Sequence, residues 1–335
     1  MLTLDSISDL ELDEVCTFLR GIFSAPPDHP PFRADVLRWK AIAPHPFWSG
    51  SRSYVYRNGG QIEAHGCVTP IEWLYAGGQT RTACVVDWAA GRTTPGIGML
   101  LYREVAKMLD GVTAIGGSEA ARRVLPRAGF KPIVEMPVFA RVVRPLARHM
   151  QRPKDWKTPA RLARDVARAL PPLPDPGPDW RAERVARFDD AIQPALPEPD
   201  RPSPVVSRRS VELLNYWLDC PAAVMEGYRV SGPSGLNGYF VFSKLGAECR
   251  IVDLGINGVD WTVLCALAVR TAAADRNIHI VKIAASATAI KDSFTALRFH
   301  VERIEPVLYW DSSKKSPPPG EPHMTFAEND FFYLP

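Results

Sequence analysis

Apolar and polar positions along the first part of this chain change period repeatedly, which predicts strands alternating with helices. Leu2–Ile7 has the pattern of a strand. Ser8, with Glu11 three residues later, has the form of a capping box that begins a helix reaching about Phe23. Arg33–Ile42 predicts a second, shorter helix.

Glycine-rich turns then separate three runs with strand character. Asn58-Gly59-Gly60 lies between two such runs and predicts a hairpin, and Ala76-Gly77-Gly78 predicts the next turn. The third run, Gln79–Asp87, is followed by an apolar helix. The chain then predicts a short strand at Val112–Ile115, a helix from Ser118 and a closing strand at Pro137–Val143.

The segment between the third run and its helix has a composition of its own, Arg92-Thr93-Thr94-Pro95-Gly96-Ile97-Gly98. Gly96 and Gly98 permit close approach and positive φ angles, and Pro95 favours a helix that begins there. The free N–H groups at such a helix start can hold a diphosphate, with Arg92 adding positive charge. The alternative interpretation is a tight strand-to-helix turn without a ligand.

Two motifs, in order, resemble those of the GNAT acyltransferase superfamily. The glycine loop is similar to the family pattern Gln/Arg-x-x-Gly-x-Gly/Ala, with Thr93 at the Gln or Arg position. Ser118–Phe130 is similar to the pattern Asn-x-x-Ala-x-x-x-Tyr-x-x-x-Gly-Phe, with Ser118 at the Asn position, Ala121 matched and Leu125 at the Tyr position. The resemblance implies an α/β (α+β) fold with a mixed sheet, and acetyl-CoA or another acyl-CoA as co-substrate.

The second part of the chain repeats the order of elements in the first. The pattern predicts two tandem GNAT-like domains: 1–145 with the pyrophosphate loop, a basic, proline-rich linker at 146–177, and 178–335 without the Gly-x-Gly loop. In the second copy Asp260 precedes the apolar helix Trp261–Ala273, where its negative charge would repel a diphosphate. The linker contains Thr158–Leu170, a basic amphipathic helix that either lies on a membrane or packs as a connecting helix.

The resemblance assigns a set of candidate binding residues to the first domain: Val86, Asp87, Trp88, Arg92, Thr93, Thr94, Pro95, Gly96, Ile97, Gly98, Ser118 and Ala121. For the general base, Asp87 is the first candidate because it ends the strand before the loop, although it could equally cap the following turn. Glu63 and His65 alternate on one strand face, so both point into a cleft or both into solvent. The expected mechanism is direct transfer in a ternary complex. The usual acid is missing, because Leu125 stands in the place of the family tyrosine.

Composition narrows the class of protein. The chain has 335 residues, 46% of them hydrophobic, and a net charge of +3, too mild to indicate nucleic-acid binding by itself. Its six cysteines show no metal-ligand spacing, and no metal is expected. The pattern shows neither an export segment nor a membrane span, so a cytoplasmic protein is expected. A small-molecule or saccharide acceptor with an amine or hydroxyl fits the composition.

Two other functions remain open. An aminoacyl transferase of the tandem-GNAT kind would use aminoacyl-tRNA, which suits the duplication and the basic linker but leaves the pyrophosphate loop without a use. A catalytically inert CoA-binding or scaffold module is compatible with Thr93 and Leu125 at motif positions.

Overall fold

The computed structural model describes residues 2–150, 155–170, 172–199, 202–233, 235–258, 261–313 and 321–334. Asp260 lies outside the described residues. The elements up to the linker are β1 (Leu2–Ser6), α1 (Leu12–Phe23), α2 (Ala34–Ala41), β2 (Ser53–Asn58), β3 (Gln61–Tyr75), β4 (Gly78–Ala90), α3 (Ile97–Ala106), β5 (Gly111–Ile115), α4 (Glu119–Arg127) and β6 (Lys131–Val142). The linker contributes α5 (Pro145–Met150) and α6 (Thr158–Ala169).

The remainder of the chain repeats this order. Its elements are β7 (Arg181–Val185), β8 (Glu198–Pro199), β9 (Pro202–Ser203), β10 (Val205–Ser207), α7 (Val211–Leu218), β11 (Val224–Gly232), β12 (Gly235–Leu245), β13 (Glu248–Ile256), α8 (Trp261–Ala274), β14 (Ile280–Ala284), α9 (Thr288–Ala296), β15 (His300–Asp311) and β16 (Pro322–His323). We call residues 2–142 the N-terminal half and residues 181–334 the C-terminal half.

Local signals in the sequence explain where several elements begin and end. The Ser8 N–H donates to the Glu11 carboxylate at 2.8 Å, so the capping box forms and leads through a short 3-10 turn into α1. The hairpin between β2 and β3 turns at Gly59 and Gly60, whose φ angles are +58° and +86°. Both predictions are confirmed.

A single mixed sheet joins the two halves. Its main path through the described residues is β1-β2-β3-β4-β5-β15-β6-β14-β13-β12-β11-β7. At the centre the last strands are exchanged: β15 lies between β5 and β6, and β6 pairs with β14. Each half therefore completes the sheet of the other.

Two faces of the sheet carry different layers in the N-terminal half. Leu19 of α1 and Leu37 of α2 pack with Cys84 on one face, whereas Leu101 of α3 packs with the neighbouring residue, Ala83, on the other. The C-terminal segment 321–334 joins the layer of α1 and α2 through residues such as Tyr333.

The linker helices pack beside the sheet. Among the described residues of α6, Asp165 is the buried one. Its carboxylate oxygens lie 3.2 Å from a guanidinium nitrogen of Arg148, 3.1 Å from the Nε2 of His149 and 3.1 Å from a guanidinium nitrogen of Arg164. This arrangement explains how a basic helix connects the two halves. In the part of the chain that the structure describes, we find no helix with the length and apolar character that a membrane span needs.

Candidate active site

Strands β4 and β5 run side by side and then separate. Their parallel pairing extends from Thr82–Gly111 to Cys84–Thr113. Beyond these pairs, β4 continues to Ala90 and β5 to Ile115, and the two strands no longer pair. The divergence leaves a V-shaped opening in the sheet with the glycine loop at its mouth.

A β-bulge shapes the β4 arm of this opening. The pairing of β3 with β4 shifts between Cys67–Val86 and His65–Ala89, so an additional residue is accommodated on β4. Asp87 lies in the bulge with a φ of +50°, a left-handed conformation that is rare for a residue other than glycine. Such bulges redirect backbone and side chains near binding sites.

His65 holds the bulge from the neighbouring strand. Its Nδ1 lies 3.0 Å from the Asp87 carbonyl oxygen and its Nε2 lies 2.6 Å from the Ser53 hydroxyl. Because a carbonyl can only accept, Nδ1 carries the proton and Ser53 donates to Nε2. Burial lowers the pKa of His65 to about 4, so the ring is neutral at pH 7. With both nitrogens engaged, His65 acts here as a positioning residue.

Gly96 and Gly98 differ in what they contribute to the loop. Gly96 has a φ of +80° and faces open space, with no atom within 4 Å of an added Cβ. At Gly98 a Cβ would lie 3.0 Å from Ala90 and 3.1 Å from the Trp88 indole nitrogen, which donates to the Gly98 carbonyl at 3.0 Å. Gly96 therefore permits the turn, and Gly98 permits close packing of helix on strand.

The loop also exposes backbone donors. Helix α3 begins at Ile97, directly after Gly96. Within the described part of the chain, the N–H groups of Gly96 and Gly98 have no acceptor in the protein; Gly96, Arg92 and Thr93 are exposed, whereas Gly98 is buried. Unpartnered N–H groups at the start of a helix of this length form a site for an anion.

The motif residues on the other arm lie after β5. Ser118 is the N-cap of α4, and its hydroxyl accepts a hydrogen bond from the Ala121 N–H at 3.2 Å. Leu125, at the position of the family tyrosine, is 2% exposed and packs in the core. It therefore offers no proton donor.

Glu63 is buried at the loop end of β3, away from the bulge. Its carbonyl accepts from the Gly91 N–H at 2.6 Å, and its Oε2 has no hydrogen-bond partner among the described residues. The structure thus places Glu63 beside the loop and His65 beside Asp87, so the two candidate side chains do not face the same position in the site.

Asp87 belongs to a buried charged cluster that the sequence did not reveal. Its carboxylate pairs with the Lys40 ammonium group of α2, and each side chain is 4% exposed. Burial is the largest single effect and lowers the pKa of Lys40, but the charge and hydrogen bond of Asp87, together with the acidic groups of Cys67 and Asp330, raise it overall. Lys40 is therefore a stable cation at the base of the opening.

Asp330, from the C-terminal segment, is the third member of this cluster. Desolvation, and then the negative charge of Asp87, raise the pKa of Asp330 from 3.8 to about 7, while Lys40 acts in the opposite direction. Burial, and then the charge of Asp330, raise the pKa of the Cys84 thiol; Cys84 is the last residue of β4 that pairs with β5. The cluster thus contains a carboxyl group whose pKa is raised to about 7.

Tyr333 completes the group. The Lys40 ammonium lies 5.8 Å from the centre of its ring. Burial, followed by the charges of Asp330 and Asp87, raises the pKa of the Tyr333 phenol well above 10.0, so it stays protonated. Only weak patterns in the sequence could have indicated these residues. Lys40 is a lysine among the apolar positions of a short helix, and Tyr333 ends an aromatic run that follows the polar pair Asn329-Asp330.

A pocket extends from this cluster between the two halves. Its cavity volume is about 30 Å³, and both Lys40 and Tyr333 reach its wall. Further lining residues include Trp39, Arg52 and Tyr216. Trp39 of α2 stacks on Tyr216 of α7 with ring centres 4.8 Å apart, so both halves build the wall.

Comparison with known proteins yields no matching family model and no matching curated protein. Solved structures do match. A GCN5-related N-acetyltransferase from Anabaena variabilis aligns with a TM-score of 0.61 at 10% identity, covering 93% of this chain and 73% of that one. A conserved protein from Enterococcus faecalis, described as a probable N-acyltransferase, aligns with a TM-score of 0.59 at 12% identity and the same coverage.

The third similar structure is N-myristoyltransferase from Saccharomyces cerevisiae with bound myristoyl-CoA. It aligns with a TM-score of 0.58 at 13% identity, covering 92% of this chain and 82% of that one. At such identities the likeness concerns the fold. The chain therefore has the GNAT fold, as two GNAT-like units in tandem.

Proposed function

We propose that this protein is an acyl-CoA-dependent acyltransferase whose active site lies in the N-terminal half. The observation that carries the proposal is the loop at Gly96: a left-handed glycine facing open space, at a helix start with unpartnered N–H groups. This geometry suits the CoA diphosphate. Myristoyl-CoA in the similar N-myristoyltransferase structure supports the same class of substrate. Acetyl-CoA is the first acyl donor to test.

In this proposal the domain limits predicted from the sequence, 1–145, 146–177 and 178–335, still apply. The first unit binds acyl-CoA, with Arg92, Thr93 and Thr94 lining the loop. The second unit lacks the loop and supplies one wall of the pocket, where an acceptor amine or hydroxyl would enter.

We assign the role of general base to Asp330 and a supporting role to Asp87. The Asp87 carboxylate is already engaged by Lys40, whereas Asp330 has a pKa near neutrality and can both take and release a proton. Asp87 and Lys40 then set the charge around it. Asp87, the first candidate from the sequence, becomes a residue that tunes the base.

The transfer step balances with these groups. The acceptor nitrogen attacks the thioester carbonyl carbon, its proton passes to the Asp330 carboxylate, and the carbon–sulfur bond breaks as the carbon–nitrogen bond forms. The departing CoA sulfur then takes the proton that Asp330 accepted, which returns the carboxylate to its starting state. Asp330 thereby also serves as the acid that Leu125 cannot supply.

Calorimetry with acetyl-CoA tests the proposal at its starting point. The matched variants are Gly96→Asn and Gly96→Asp, because both side chains tolerate a left-handed φ and they differ by one negative charge. We expect binding to the native protein, weaker binding to Gly96→Asn, and a further loss of at least about tenfold in Gly96→Asp from repulsion of the diphosphate. Gly98 is left unchanged because any side chain there meets Trp88.

Each other outcome has a definite meaning. No binding of acetyl-CoA to the native protein, or equal binding by the two variants, would contradict the proposed cradle. Aminoacyl-tRNA binding that weakens with salt would then favour the aminoacyl transferase. Binding of acetyl-CoA without turnover of any acceptor would favour the inert module.

A further inference from the structure

The linker between the two halves concentrates the positive charge of the chain. Residues 144–170 contain eight lysines and arginines and two aspartates, a net charge of +6, whereas the whole chain has a net charge of +3. The rest of the molecule therefore has a net charge of −3. Of the two aspartates, Asp165 is buried and paired with neighbouring cations, and Asp155 is exposed. The linker thus presents a positive field to the surroundings of the molecule.

Large apolar side chains are exposed in the same segment. Leu146, Met150, Trp156 and Leu170 are 66%, 80%, 85% and 73% exposed, and they are four of the five most exposed large apolar side chains in the described chain. Single exposed apolar side chains are ordinary, whereas a concentration of them rimmed by polar residues marks an interaction surface. The linker therefore has the character of a surface that meets a partner.

An exposed apolar stripe runs along α6. Trp156 lies in the turn before the helix, and Leu170 directly follows its last residue. Between them the chain returns to the same helix face at intervals of four, three, four and three residues. The members of this stripe are all exposed: Trp156, Ala160, Ala163, Ala167 and Leu170.

A basic stripe lies beside the apolar one, shifted by one residue at each step. Its members are Lys157, Arg161 and Arg164, which are exposed, and Arg168, which is half-buried. The remaining side of α6 faces the protein through the buried Asp165. The helix therefore packs on the molecule with one side and turns the two stripes outward. We call the exposed residues of both stripes, together with Leu146 and Met150 of α5, the linker surface.

Contacts within the linker surface leave its cations able to meet another anion. The Lys157 ammonium lies 5.0 Å from the centre of the Trp156 ring. Arg161 pairs with Asp155 at 3.0 Å, and both side chains are exposed. Exposed contacts of these kinds contribute little free energy, so a surface of opposite charge can replace them.

We propose that the linker surface docks on an anionic lipid bilayer, a property that does not depend on the acyltransferase function above. Trp156, Leu170 and the exposed side chains of α5 enter the boundary between headgroups and acyl chains, and the basic stripe lies against the lipid phosphates. The 12 residues of α6 are about 18 Å long, against about 30 Å for the hydrocarbon core, so the helix lies on the bilayer. A nucleic acid would use the basic stripe but would leave the exposed apolar side chains without a partner.

Co-sedimentation with vesicles tests the proposal without any enzyme assay. The probes are vesicles of phosphatidylcholine alone and vesicles of phosphatidylcholine with phosphatidylglycerol at about 3:1, which carry the anionic surface that basic residues recognise. We expect the native protein to bind the anionic vesicles at least about tenfold more tightly. That binding should weaken at least about tenfold between about 0.1 and 1 M NaCl, because salt shortens the Debye length from about 10 Å to about 3 Å.

Two matched pairs of variants assign the binding to the linker surface. Lys157→Gln with Arg161→Gln should weaken binding to anionic vesicles at least about tenfold. Lys107→Gln with Arg123→Gln removes two cations from exposed ion pairs elsewhere and should change it less than about twofold. Trp156→Gln should weaken binding at least about fivefold, whereas Leu10→Gln, at the most exposed large apolar side chain, is the apolar control. Circular dichroism should show the same fold for all four.

The other outcomes are equally definite. Equal binding to both kinds of vesicle, or binding to neither, would overturn the proposal. Equal loss in the two double variants would show attraction by overall charge and would overturn the assignment to the linker surface. Salt-sensitive binding of RNA without binding of vesicles would replace the lipid by a nucleic acid. None of these results involves acetyl-CoA, so each leaves the acyltransferase proposal to its own test.

Discussion

Each half of the molecule has an aspartate at the bulge of its fourth antiparallel strand, and the two carboxylates have different partners. Asp253 in β13 is 0% exposed and accepts two hydrogen bonds from Arg209 at 2.9 and 3.0 Å. Tyr239 donates to it at 2.7 Å and Thr325 at 2.9 Å. Every lone-pair direction of this carboxylate has a partner.

Asp87 has the opposite surroundings. Its carboxylate has one cation, Lys40, and faces the second carboxyl group of Asp330. It also occupies a left-handed backbone conformation at a φ of +50°. A fully partnered carboxylate stabilises a fold, whereas an excess carboxyl group beside a pocket retains a proton that can be transferred. The comparison teaches that the same position in a repeat can be fully partnered in one copy and left with a single cation in the other.

The largest effect should come from the base. We expect Asp330→Asn to lower kcat/KM roughly 100- to 10,000-fold, the range for loss of general base catalysis. Activity of the native protein should rise with pH through about 7, because the unprotonated carboxylate is the active form, and this limb should vanish in the variant. Initial rates of CoA release across pH check both. Exposed Asp28→Asn is the control, and a drop in rate with an unchanged pH limb would contradict the assignment.

The pH dependence of folding stability tests the raised pKa of Asp330 independently of activity. The folded-state pKa of Asp330 lies above its unfolded value, so its contribution is present below pH 3.8 and is lost as pH rises toward about 7. Asp330→Asn should remove this loss, so the variant gains stability relative to the native protein at pH 8 more than at pH 5. Urea unfolding at the two pH values measures the difference. No change in that difference would show that the carboxyl is not shifted.

The Asp253 network should respond through stability. Arg209→Met leaves Asp253 and Glu328 buried without their cation and should cost about 3–5 kcal/mol of unfolding free energy. Lys40→Met should cost less, because Asp330 already holds a shared proton near neutral pH. Denaturant unfolding at pH 7 compares them, with Arg187→Met as an exposed ion-pair control worth at most about 1 kcal/mol. Equal losses for Arg209 and Lys40 would remove the distinction between the sites.

The sequence contains most of the fold because its signals are local. The Ser8 capping box, the Gly59–Gly60 hairpin and the left-handed turn at Gly96 each involve neighbouring residues, and all are confirmed. The order of elements in the second copy follows from the repeat. The exchange of β6 and β15 could not be predicted from local signals, because no pattern within either strand specifies the strand with which it pairs.

The candidate site is predictable only where it depends on the loop. Gly96 could be assigned from the sequence because glycine favours the positive φ angle that the turn needs. The cluster of Lys40, Asp87 and Asp330 joins positions that are far apart in the chain, and it forms only when the C-terminal segment folds back. The roles of Asp87, Glu63 and His65 proposed from the sequence stay predictions.

The smallest expected effect concerns two buried histidines, one in each half. His65 and His323 are both 0% exposed, and burial lowers the pKa of each to about 4. His65 is bonded at both nitrogens, to the Asp87 carbonyl and to Ser53, whereas neither nitrogen of His323 has a partner among the described residues. Equal burial therefore hides a difference in hydrogen bonding.

His65→Phe should lower the unfolding free energy at pH 8 by roughly 1–3 kcal/mol, because it leaves the Asp87 carbonyl and Ser53 without partners. His323→Phe should leave stability unchanged or raise it by about 1 kcal/mol, since no hydrogen bond of the described structure is lost. Both folded pKa values are depressed, so each histidine contributes stability that is present above pH 6.5 and lost as pH falls toward 4, and both variants should flatten that loss. Denaturant unfolding at pH 8 and 5 measures the two effects. Destabilisation by His323→Phe as large as that by His65→Phe would show that His323 has a partner and that both copies keep their histidine for the same reason.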